Sequence, residues 1–140
     1  MTDRKEVYER AFEAYNNADY SAAVSIVLDS KVDVSKSGAL LILLGDAYYD
    51  LRDDLNVLKY LLQYVETFPE GRAKNYALFN CAMSLMNLHC DEEAAEILER
   101  VDADHPGLGE EVSSSLEVLK KKSAARLLLG KLSPPLKSAV

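Results

Sequence analysis

The chain has 140 residues and is short of several things. It carries no tryptophan, 6 glycines, 4 prolines, 2 cysteines, and 16 basic residues against 23 acidic ones. Each shortage removes a class of protein. Glycine and proline together fall well under the roughly 12% of average usage, which excludes a collagen-like or low-complexity chain and argues against a turn-rich β-sandwich. Two cysteines cannot make a disulfide framework, so a reducing, cytoplasmic setting is expected. The net charge of −7 disfavours phosphate, so nucleic acid is not expected as a partner. The longest apolar run, residues 39–45, is far below the ~20 residues that span a bilayer, and no membrane insertion is expected. The opening MTDRKEVYER has no apolar stretch of the kind a secretory leader needs.

What the chain has in abundance is leucine and alanine, within an apolar fraction of 49%. Both are good helix formers. That fraction supports a packed core rather than disorder. The expected fold class is all-α.

Three segments repeat one another. They are AFEAYNNADYSAAVSIVLDS from Ala11, GDAYYDLRDDLNVLKYLLQYVETFP from Gly45, and AMSLMNLHCDEEAAEILERVDADHP from Ala82. The starts lie 34 and 37 residues apart, and Ala23, Val57 and Ala94 keep the same spacings. An insertion around Glu70 to Lys74 accounts for the difference. Each unit reads as two helices, A and B, joined by a polar turn: Asn17-Ala18-Asp19, Arg52-Asp53-Asp54 and His89-Cys90-Asp91. Asp19 is a candidate N-cap, and Pro69 and Pro106 end the second and third units. Ala11 facing Ala23, Gly45 facing Val57 and Ala82 facing Ala94 would let paired helices approach closely. Helix pairs of this size cannot bury their faces alone, so three are expected to stack.

In these features the chain resembles the tetratricopeptide repeat family, over about Arg4 to Leu108. The clearest stretch is LILLGDAYY in the second unit, with ADY at Ala18 and DEEAAEIL in the third. Arg10 departs from the usual leucine, Arg52 and His89 from the turn glycine, and Val57 from the small helix-B residue. The resemblance implies a superhelical stack of three hairpins, with repeats at about 4–37, 38–71 and 75–108. A further helix is expected at about 110–130, with Val112, Leu116, Leu119 and Ser123 at helical spacing, and reads as a cap on the stack. Residues 1–132 would then form one domain. Pro134-Pro135 end helical structure, and 133–140 read as a disordered tail. Charge divides similarly: residues 1–108 carry 10 basic and 20 acidic side chains, and residues 109–140 carry 6 and 3.

In that architecture the A helices line a concave groove. Phasing them places Tyr8 and Phe12 on the first, Ile42, Asp46, Tyr49 and Asp50 on the second, and Tyr76, Phe79 and Met83 on the third. Tyr15 shares the first stripe, either in the groove or in packing between helices. Aromatic rings and methionine suit an apolar partner segment, and the two acids suit a basic residue within it. The family's clamp for chaperone carboxylates is not expected. Its positions would fall on Tyr8, Phe12, Leu43, Tyr76 and Asn80, none of them basic. The expected function is a non-catalytic adaptor or chaperone that binds a peptide or helical segment. The alternative is an assembly subunit that self-associates through its convex or end faces, as in a homodimer.

Chemistry has little support. There is no Gly-rich phosphate loop, HExxH or GxSxG. Cys81, His89, Cys90 and His105 lack zinc spacing. No metal, cofactor or catalytic residue is expected. The Lys120-Lys121-Lys122 run reads as a solvated helix face.

Overall fold

The computed structural model describes residues 3–102, 105 and 107–131. Among these residues every regular element is helical, and the first four α-helices begin where short polar side chains cap them. Asp3 opens α1 (Arg4–Asn16) and Asp19 opens α2 (Tyr20–Asp29). Ser37 opens α3 (Gly38–Asp50) and Asp53 opens α4 (Asp54–Thr67). Each of the four accepts a hydrogen bond from a backbone N–H of the first turn, satisfying a donor the helix leaves open. Then follow α5 (Lys74–Asn87), α6 (Asp91–Glu99) and α7 (Gly109–Leu129). A short 3-10 turn, Val34–Lys36, precedes α3. The chain divides into two compact units, Met1–Val101 and Asp102–Val140. The second contains α7, which matches the helix expected at 110–130. Pro106, Pro134-Pro135 and the tail expected from 133 lie outside the described residues.

The first unit is built from consecutive helix pairs. α1 packs on α2, α3 on α4, and α5 on α6; α2 also packs on α3, and α4 on α5. Each pair closes through the same backbone device. Ala18, Arg52 and His89 have φ of 60°, 60° and 62°, the left-handed region. The next residue's N–H then reaches back five residues, from Asp19 to the Ala14 carbonyl, Asp53 to Tyr48 and Cys90 to Leu85, at 2.9, 2.9 and 2.8 Å. This is a Schellman closure. Asp19 and Asp53 go straight on to cap the following helix. Positions 18, 52 and 89 are 34 and 37 apart, so the backbone geometry recurs at the spacing of the sequence repeat.

Burial follows the helical period. On α4, Val57, Tyr60, Leu61, Tyr64 and Val65 are buried, a stripe at i, i+3, i+4, i+7 and i+8. Leu40, Leu41 and Leu44 of α3 and Leu78 of α5 are fully buried. Tyr48 of α3 stacks on Tyr60 of α4 with 5.8 Å between ring centroids. Ala11, Ala23, Val57, Ala82 and Ala94 are all buried, as their expected role requires. One pairing is corrected. A Cβ on Gly45 would overlap Leu61, not Val57: the Leu61 Cδ2 and Cγ atoms occupy that space. Leu61 lies one turn beyond Val57, so its side chain fills the space that the missing Cβ of Gly45 leaves.

Candidate functional site

Two long-range hydrogen bonds fix how α1 and α3 lie. The Arg4 guanidinium, at the start of α1, donates to the Lys36 carbonyl just before α3, at 3.0 Å. The Tyr15 hydroxyl, near the end of α1, donates to Asp50 Oδ2 at the end of α3, at 2.7 Å. Start lies by start and end by end, so the two helices run parallel. Between them is a groove of about 700 Å3.

Each wall is a helical stripe. α1 contributes Tyr8, Phe12 and Tyr15, at i, i+4 and i+7. Tyr8 and Phe12 stack at 5.5 Å between centroids, and Phe12 remains 43% exposed. α3 contributes Gly38, Ile42 and Asp46, at i, i+4 and i+8, with Ala39 and Leu43 beside them. One end of the groove is bounded by Tyr64 of α4, by Phe68 just after that helix, and by Gly71, Arg72 and Ala73 of the α4–α5 loop. Tyr64 organises that end. Its hydroxyl accepts from the Ala73 N–H at 3.3 Å, and its ring lies where a Cβ on Gly71 would have to go.

Of the nine residues singled out from sequence, Tyr8, Phe12, Ile42 and Asp46 line this groove together. Tyr49 and Asp50 continue the α3 stripe one turn beyond it, and both are exposed. Tyr76, Phe79 and Met83 lie on α5, exposed or half-buried, and do not line it. Tyr64, Phe68 and Arg72 were missed. Their signal was present as an aromatic pair at i, i+4 running into the insertion that offsets the second and third units. It was read as a chain-length adjustment rather than as a wall.

The charges in the groove are unevenly placed. Asp46 is half-buried and has no hydrogen bond or ion pair among the described residues. Burial, and then the nearby Asp50 charge, push its pKa up to about 6. Burial and the bond to Asp50 likewise raise the Tyr15 phenol well above its usual range. That tyrosine is therefore a fixed donor at neutral pH. Arg72, at the other end, is exposed and also unpaired among the described residues.

Such a surface can hold an apolar chain and a charge. Among the described residues no group of three His, Cys, Asp or Glu could hold a metal ion, and no helix is long and apolar enough to cross a membrane. Cys81 is buried, which pushes its thiol up to about 12, so it is not a nucleophile at neutral pH. The chain matches no protein-family model and no curated protein sequence.

Proposed function

We propose that the unit Met1–Val101 is a tetratricopeptide-like superhelical stack that binds a polypeptide segment of a partner protein in the α1–α3 groove, without catalysis. The observation that carries this reading is the composition of the groove. Exposed and half-buried rings and aliphatic side chains surround one carboxylate that has no partner of its own. Desolvated aromatic pockets are where interfaces concentrate their energy, and a lone carboxylate among them favours a cation on the incoming chain. The recurrence of left-handed turns at Ala18, Arg52 and His89 supports the repeat architecture. Arg52 and His89 thus stand where the family places glycine, in the conformation that glycine adopts most easily. The two free thiols, Cys81 and Cys90, suit a reducing compartment such as the cytoplasm.

The test is selection of binding peptides against the full chain from a random library. Phe12→Ala and Tyr49→Ala are then measured against the selected peptides. Phe12→Ala should weaken binding at least tenfold, about 1.4 kcal/mol, while circular dichroism stays unchanged. Tyr49→Ala should have a smaller effect, since Tyr49 lies beyond the groove. Peptides that bind equally well to both variants would place the site elsewhere.

A second reading has its own observation. Leu51, Leu55 and Leu62, at the α3–α4 turn and along α4, are 40%, 70% and 39% exposed. Leu55 and Leu62, seven residues apart, share one face of α4 and do not line the groove; self-association through that face would make the chain an assembly subunit. Light scattering separates the two: a dimer abolished by Leu55→Glu and untouched by Phe12→Ala selects the second.

A further inference from the structure

The groove is not only apolar; its two ends differ in charge. A Cβ on Gly38 or on Gly71 would meet the Tyr64 side chain, so Arg72 borders the end where α3 begins. Asp46 lies eight residues further along α3, about 12 Å at the helical rise, and Asp50 one turn beyond that. α1 and α3 run parallel, so both begin at the Arg72 end and both finish near Asp46 and Asp50. Arg72 and Asp46 are the two charged side chains among the residues that line the groove.

We infer that the groove is electrically polarised and takes a polypeptide segment in one orientation, its basic side chains over Asp46 and Asp50 and its acidic side chains over Arg72, with apolar residues between them on Phe12, Ile42 and Phe68. This rests on the groove being the binding site and adds the charge order of the ligand. A segment that fits carries its opposite charges far enough apart to span the α3 wall from Gly38 to Asp46, on the order of 12 Å, which is two turns of helix or about four residues of strand. Segments basic throughout or acidic throughout satisfy one end and oppose the other.

The probes are three blocked ten-residue peptides with the same Leu-Phe-Leu centre. One is flanked by two lysines on one side and two glutamates on the other, one by lysines on both sides, and one by glutamates on both. Titrated at low salt against the full chain, the mixed peptide should bind about fivefold tighter than either uniform one, the size expected of two partly exposed ion pairs. Arg72→Glu should remove its advantage over the lysine peptide. Asp46→Asn, nearly isosteric, should remove its advantage over the glutamate peptide. A nitroxide on the lysine end of the mixed peptide should broaden the amide resonances of Tyr49 and Asp50 and spare those of Gly71 and Arg72. Equal affinity for all three peptides, or equal broadening at both ends, overturns the polarity and leaves the groove standing if Phe12→Ala still weakens every peptide. Peptides that do not bind, or that bind Phe12→Ala unchanged, overturn the groove and the polarity together.

Discussion

Replacing the three left-handed turn residues by glycine should stabilise the protein. Ala18, Arg52 and His89 hold φ near 60°, where a Cβ crowds the following carbonyl at a cost of about 1–2 kcal/mol. Glycine escapes that crowding but loses about 0.5–1 kcal/mol more chain entropy on folding. The net gain is about 0.5–1 kcal/mol per site. All three side chains are exposed, so their removal costs little packing. Ala18→Gly is the cleanest change, because only a methyl group is lost. For a chain of this size each substitution should raise the Tm by about 2–5 °C, and the triple variant should gain about 2 kcal/mol. The control is Asn17→Gly, one residue earlier, where φ is −87° and glycine offers no relief; it should lower the Tm. Urea melts with a constant slope give the free energies. If the turn variants lose stability as Asn17→Gly does, the left-handed turns store no strain and the recurrent closure is misread.

Gly45→Ala should cost about 1–2 kcal/mol, because overpacking against the fully buried Leu61 outweighs alanine's better helix propensity. The loss should shrink when Leu61→Ala is added, a coupling that a double-mutant cycle reads directly. Asp46→Asn should stabilise the free protein at pH 7.5. A folded pKa of about 6 lies above the unfolded carboxylate value of about 3.9. Between those values the native chain holds a proton that the unfolded chain has lost, so stability falls as pH rises through the window. The gain at pH 7.5 should be on the order of 1–2 kcal/mol after allowing for solvent around a half-buried group, and should vanish at about pH 4. Denaturant melts at the two pH values check it, and an equal gain at both would mean that charge is not the cause.

The helices and their order were legible because the capping residues, the leucine stripes and the 34- and 37-residue spacings all point the same way. The hairpin turns were legible as positions but not as conformations. Arg52 and His89 look like departures from a glycine pattern, yet the hydrogen bonds from Asp53 and Cys90 hold both in the geometry glycine would adopt. The contact partner of Gly45 was placed one turn too early, because equal repeat spacing identifies equivalent residues, not which side chain fills the gap. The groove was half legible. Its α1 and α3 walls follow from helical phase, which sequence carries. Its closed end depends on how the loop after α4 folds back under the Tyr64 hydroxyl, and no periodicity encodes that.

The acids of this chain divide by what they do for the fold. Asp3, Asp19, Asp33 and Asp53 each accept a backbone N–H at the start of a helix or 3-10 turn, satisfying a donor that the element leaves open. Asp50 holds the Tyr15 hydroxyl and so helps set α1 beside α3. Asp46 does neither. Its raised pKa means that its charge opposes folding at neutral pH. If the groove holds a segment as proposed, a cation on that segment would supply the partner that Asp46 lacks in the free chain. Arg72 is the counterpart at the other end, exposed on a loop whose own structure is held by Gly71, Ala73 and Tyr64. If the free protein is stabilised by Asp46→Asn and the same change erases discrimination between the mixed and glutamate-flanked peptides, stability and selectivity trade against each other at a single carboxylate.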